Sequence, residues 1–408
     1  MLDKPLWQFI AITALPFCTL VNAADLTPLE RLGKQIFFDP SLSDPPGQSC
    51  ASCHNPLAGW TGDTSEINAH AAVYPGAVET RSGNRKPPTA SYATFSPVFH
   101  YDPEEELFVG GNFWDGRATG WLLGDPTAEQ AQGPFLNPLE QNIETAERVL
   151  KLVCESGYGP LLREIYGVEI CANTVNGYNA IAKAISAYEA SAEVNAFSSK
   201  YDYYLKDPKR YPLSKQEMLG LRVFEAEDKG NCAACHPSRP GADGAPPQFT
   251  DFTYDNLGFP KNPENTWYRM PKQINPEGKQ WIDPGLAGFL AKVPRFAKFA
   301  EANRGKHKVP TLRNVDKRPE PGFVKSYGHN GYFKSLKDIV HFYNVRDRLP
   351  ACEHTATPLP GDNCWPAPEV AENVNTEELG DLGLSEAEEW ALVAFMQALS
   401  DGWIPPPQ

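Results

Sequence analysis

Two short motifs constrain this chain more than any other feature. "CASCH" runs from Cys50 to His54 and "CAACH" from Cys232 to His236. In a CxxCH motif the two thiols can add to the vinyl groups of one haem, and the adjacent histidine is then carried under the iron as its axial ligand. Cys50, Cys53, Cys232 and Cys235 are therefore read as attachment residues, and His54 and His236 as axial ligands of two covalently bound haem c groups. An upstream pattern repeats with the motifs: Leu32, Gly33, Ile36 and Phe37 before the first, Leu219, Gly220, Val223 and Phe224 before the second. A helix followed by an attachment motif, twice over, predicts an internal duplication.

The predicted fold is mainly α, with two cytochrome c-like domains spanning residues 24–205 and 206–408. The boundary is expected near 198–213, where tyrosine, charge and proline break the helical periodicity. Helix starts are marked by capping boxes: Thr27 with Glu30, Ser214 with Glu217 and Ser385 with Glu388. Other helical stretches cover 144–167 and 176–193, and 39 prolines with 32 glycines predict long ordered loops rather than many strands. Residues 1–23 carry one lysine near the start, an apolar run and then Val21-Asn22-Ala23, the pattern of a secretory signal peptide. Export to the periplasm is the expectation, and no later stretch is long and apolar enough to span a bilayer. In that oxidising setting Cys154, Cys171, Cys352 and Cys364 pair most simply as neighbours, Cys154 with Cys171 and Cys352 with Cys364; sequence alone leaves other pairings open. A net charge of −14 argues against nucleic acid as a partner.

"FWDGR" at 113–117 and "QAQGPFLNPLE" at 130–140, with "VPTLRNV" at 309–315 and "YGHNGYFKSLKDIVHFYN" at 327–344, resemble the dihaem cytochrome c peroxidase and MauG superfamily over nearly the whole mature chain. The resemblance implies that Trp114 relays electrons between the haems, and that Gln130, Pro134 and Glu140 line the open face of the first. Chemistry asks for such residues too. Cleaving the O–O bond of bound peroxide requires a proton to move from the inner to the outer oxygen, which makes Glu140 the acid/base candidate. Gln130 can orient peroxide, and Pro134 offers no ligand. Six extra residues, Gly120 to Asp125, are expected to reshape access to the first haem. The superfamily also implies a calcium ion between the domains, with Asn84 as a candidate ligand and Val324 and Ser326 at the second ligating turn. His70, sixteen residues after His54, stands at the spacing of a histidine that caps the first haem in conventional members.

Leu336, Ile339, Val340 and Tyr343 fall at i, i+3, i+4 and i+7, one inward helical face, with His341 directed elsewhere. The resemblance puts Tyr343 where conventional peroxidases carry methionine and MauG-like members carry tyrosine, so it implies Tyr343 as second axial ligand of the second haem. A phenolate favours ferric and higher states where a thioether favours ferrous iron. Three functions are carried forward: a MauG-like enzyme that reacts with hydrogen peroxide and oxidises a protein partner at a distance, a conventional peroxidase fed by a small cytochrome or copper protein, and a non-enzymatic electron carrier. The tryptophan that MauG carries two residues before its second motif is Gly230 here, which implies a different partner or exit route.

Overall fold

The computed structural model describes residues 25–242 and 244–407, so the expected leader lies outside the described residues. Helices dominate, and the two strand pairs are short: His100–Asp102 against Leu107–Val109, and Tyr254–Asp255 against His307–Lys308, both antiparallel. No described helix is long and apolar enough to cross a membrane.

Two hydrophobic cores follow the chain order. The first gathers Leu32, Ile36, Phe37, Phe135, Val149, Ile181, Ile185 and Tyr188; the second gathers Leu221, Phe224, Phe249, Phe333, Phe342, Leu392 and Phe395. Their construction explains the repeated Leu-Gly. In the first, helix Pro28–Phe37 lies so close to helix Thr174–Ala190 that a Cβ on Gly33 would stand 1.8 Å from the Ala184 carbonyl oxygen. In the second, helix Lys215–Glu225 meets helix Glu386–Gln397 in the same way, with Gly220 1.9 Å from the Ala391 oxygen by the same measure. Each glycine is a contact point where only a missing side chain lets two backbones touch. All three expected capping boxes form, and Cys154 is bonded to Cys171 and Cys352 to Cys364.

The two halves are joined by buried polar contacts. Arg85 reaches Asp283 through two bonds of 2.7 and 2.6 Å and Asp115 through one of 2.7 Å. Three lysines from the second half end on oxygens of the first. Lys325 donates to the Ala58 carbonyl at 2.7 Å, Lys334 to the Asn68 and His70 carbonyls at 2.8 Å each, and Lys308 to Ser96 Oγ at 2.6 Å. Burial pushes their ammonium groups down, to about 7 for Lys308 and about 8 for Lys334.

Candidate dihaem site

A cavity of about 440 Å³ runs along the junction of the halves, lined by both attachment motifs. Cys50, Cys53, Cys232 and Cys235 are free thiols on its wall, outside the two disulfides. Each histidine is oriented by a carbonyl from the loop after its motif. His54 Nδ1 lies 3.2 Å from the Trp60 carbonyl and His236 Nδ1 2.7 Å from that of Phe249. A ring that donates Nδ1–H to a carbonyl keeps its lone pair on Nε2, the arrangement usual for a metal-ligating imidazole. Burial lowers both to about 4, so both rings are neutral. These residues fit two covalently attached haems.

On the first-haem side Gln130 and Pro134 project from helix Pro126–Leu136, which Asp125 caps through the Thr127 amide. Glu140 follows in a tight turn, its Oε1 accepting from Asn137 Nδ2 at 2.9 Å. Burial raises the Glu140 carboxyl, against the opposing pull of Arg117 and the Asn137 bond. Arg117, which the sequence reading passed over, lines the same wall. It is held by Asp115 at 2.9 Å and stacked 3.8 Å over the Phe113 ring. Its place in "FWDGR" was the available signal. Glu189, also passed over, lines the cavity from helix Thr174–Ala190 with its carboxyl raised to about 8 by burial and by Asp125. The inserted segment 120–125 does not form the rim: none of its residues lines the cavity. Trp121 Nε1 donates to the Phe99 carbonyl at 2.8 Å and Glu129 takes the Gly120 amide at 2.7 Å, folding the insertion onto the outer surface.

On the second-haem side, helix Leu336–Val345 presents Leu336, Ile339, Val340 and Tyr343 to the cavity, as the periodicity predicts. His341 points away, its Nδ1 2.8 Å from Glu389 Oε1. Burial, and then the neighbouring Cys232 and Cys235, raise the Tyr343 phenol, so without a cation beside it the group keeps its proton. Met396 reaches the wall from helix Glu386–Gln397.

Between the two sides Trp114 is buried, donating Nε1–H to the Lys86 carbonyl at 2.8 Å. Beyond it Asp283, His307 and His329 offer ligand atoms within 4.8 Å of one another. A metal bound by two imidazoles must lie in the plane of each. The two rings here are parallel to within 9° at 3.5 Å, so their planes share no such point, and Asp283 is already taken by Arg85.

The two further expected ligands, His70 and Asn84, are placed differently. His70 is not brought to the first haem. It ends the short helix Ser65–Ala69 with its side chain 65% exposed and Nδ1 3.0 Å from Glu264, and Lys334 clamps its carbonyl. Asn84 does line the cavity, but its carbonyl accepts from Asn265 Nδ2 at 2.9 Å, and the Val324 carbonyl accepts from Asn68 Nδ2 at 3.1 Å.

Comparison with known proteins identifies the family. Residues 28–210 match the family model described as di-haem cytochrome c peroxidase. The methylamine utilization protein MauG of Paracoccus denitrificans is 34% identical over 377 residues, which cover 91% of this chain and 88% of that one. The chain belongs to the di-haem cytochrome c peroxidase and MauG family. The cytochrome c551 peroxidase of Pseudomonas aeruginosa is 32% identical over half of each chain. The crystal structure of the diheme peroxidase BthA from Burkholderia thailandensis superposes with a TM-score of 0.73 at 32% identity, covering 92% of this chain and 87% of that one. The protein is thus a dihaem peroxidase-type oxidoreductase.

Proposed function

We propose that the protein is a periplasmic, MauG-like enzyme that reacts with hydrogen peroxide at the haem of the first half and oxidises a protein partner through the haem of the second. The observation that carries the proposal is Tyr343 on the cavity wall, on the helix face the sequence predicts. A c-type haem supplies an iron that binds peroxide and holds oxidising equivalents. The chain's own residues do the rest. Glu140, with its carboxyl raised by burial and steadied by Asn137, accepts a proton at one oxygen and returns it to the departing oxygen. Gln130 orients the peroxide, and Pro134 leaves the open position free of a side-chain ligand. Trp114, fixed by its bond to Lys86, passes electrons between the centres. Tyr343 would hold the second haem as a phenolate, a ligand that favours ferric and higher states.

Gly230 supports an exit route unlike that of the tryptophan-bearing relative. A Cβ there would stand 2.5 Å from the Val223 carbonyl oxygen, so the backbone leaves no room for a side chain. The test is the electronic and spin-resonance spectra of the ferric holoprotein, before and after peroxide. One high-spin centre with one low-spin His/Tyr centre, and a long-lived oxidised product, is the expected result. Two low-spin centres that need reduction before peroxide reacts would replace it with a conventional peroxidase, and no reaction in either redox state with an electron carrier. Tyr343→His should abolish the long-lived product while both haems stay attached.

A further inference from the structure

Four rings beside the cavity share nearly one orientation. Tyr343 stacks on Phe259 with centroids 6.2 Å apart and planes 18° apart, Phe259 on His329 at 6.2 Å and 6°, and His329 on His307 at 3.5 Å and 9°. Trp114 then meets His329 edge-on at 6.5 Å. The row therefore runs without a break from the proposed ligand of the second iron to the proposed relay between the irons, and all five side chains line the cavity.

Several independent contacts hold it in register. Phe342 and Phe333 pack edge-on against Phe259 at 5.7 and 5.1 Å. Gly328 has φ +78°, and a Cβ on it would come within 2.4 Å of Phe259 Cε2, so only glycine lets that ring lie against the chain. His307 is fixed through Nδ1 to the Gly305 carbonyl at 3.0 Å. The Lys86 peptide ties the last two members together: its N–H donates to the His329 carbonyl at 2.8 Å, and its carbonyl accepts the Trp114 indole. His329 Nε2, buried, has no hydrogen-bond partner. Its nearest carboxylate oxygen, Glu369 Oε2, stands 3.8 Å away, and the parallel rings of Phe259 and His307 pack against the imidazole.

We propose that Phe259 and His329 form an electronic bridge joining Tyr343 to Trp114, with His307 as the residue that presses His329 into the row. The inference rests on the reading of Tyr343 as a ligand and Trp114 as a relay, and it adds the path between them. Closely spaced aromatic rings offer lower-lying bridging orbitals than saturated side chains across the same gap. Hydrogen peroxide, the oxidant, takes up two electrons and, from solvent, two protons to become two waters, with one electron drawn from each centre. The bridge carries the second: one electron passes from the Tyr343 side to Trp114 after Trp114 has lost one. No bond forms or breaks on the bridge, and no proton moves, because Phe259 has none to give and the indole N–H stays on the Lys86 carbonyl. Phe259 and His329 act as bridging orbitals, not as places where charge rests.

The experiment uses the dihaem holoprotein and four variants, Phe259→Leu, Phe259→Tyr, His329→Leu and His329→Phe. Each is first shown by absorbance and spin resonance to keep the wild-type axial signature. Electron redistribution between the centres is then timed in half-reduced protein after flash photolysis of carbon monoxide from the first haem. The leucine variants should be slower by an order of magnitude or more, while the ring-conserving variants keep the wild-type rate. Leucine variants as fast as ring variants would overturn the bridge. A ring-conserving His329→Phe that is as slow as His329→Leu would also overturn it, by assigning the role to the imidazole nitrogen. A wild-type spectrum without the His/Tyr signature would overturn the Tyr343 reading separately, and the ring dependence of the rate would still decide the bridge.

Discussion

Replacing Arg85 by methionine tests the charge arrangement at the junction. Asp283 is almost fully buried, with 2% of its side chain exposed, and both its oxygens are bonded to Arg85. Burial alone would raise its carboxyl; Arg85 and then His307 outweigh that and hold it well below the usual carboxylate range. Asp115 keeps Arg117 at 2.9 Å when Arg85 is lost, so the damage concentrates on Asp283. Leaving one buried charge without its partner costs about 3–5 kcal/mol. The loss should appear at pH 7 as a lower denaturant midpoint with an unchanged slope. Its pH dependence has a definite sign. In the variant, the unpaired Asp283 has a carboxyl raised above its unfolded value, so between neutral pH and the unfolded range the folded state binds more protons than the unfolded. Variant stability relative to wild type should therefore recover as pH falls from 7 toward 4, by at most about 1.4 kcal/mol per pH unit. Arg85→Met combined with Asp283→Asn should recover most of the loss at pH 7. A deficit that is independent of pH, or that the second change does not relieve, would refute the assignment of the cost to Asp283.

Glu140→Gln should slow the reaction with peroxide by roughly 10²–10⁴-fold. It should also remove a pH dependence whose midpoint lies above the ordinary carboxylate range, read by stopped-flow absorbance; an unchanged profile would remove Glu140 from the acid/base role. Gly220→Ala forces a methyl group into the Ala391 carbonyl, so it should destabilise by about 1–3 kcal/mol or more in chemical denaturation, and Gly33→Ala should do the same. Equal stability in either would mean that the helices part more easily than their contact implies. With Asn84 on the cavity wall, a calcium chelator should lower the melting temperature of the holoprotein, and added calcium should restore it. A melting temperature unchanged by the chelator would remove Asn84 as a calcium ligand.

Much of the molecule was legible because its signals are local. Both attachment motifs, the capping boxes and the Tyr343 face depend on residues a few positions apart, where helix geometry dictates what faces what. The two disulfides close short loops, with separations of 17 and 12 residues, so neighbour pairing was the economical choice. The glycines of the repeated Leu-Gly were visible as a pattern, but their reason, a backbone contact with a helix far along the chain, was not. His70 shows the limit most plainly. Its spacing from His54 suggested a ligand, yet Lys334 and Glu264, from far downstream, hold it at the surface.

The sequence by itself determined that this chain carries two CxxCH attachment motifs, that its helices begin where they do, and which side of helix Leu336–Val345 faces inward. Only the tertiary structure decided what lies between the two sides. Arg85 finds Asp283 across 198 positions, and His307, His329 and Phe259 come from separate segments to stand in one row with Tyr343. Hydrophobic periodicity says that a side chain is buried, not against what, because packing between distant segments is set by shape and polar satisfaction that no local spacing encodes.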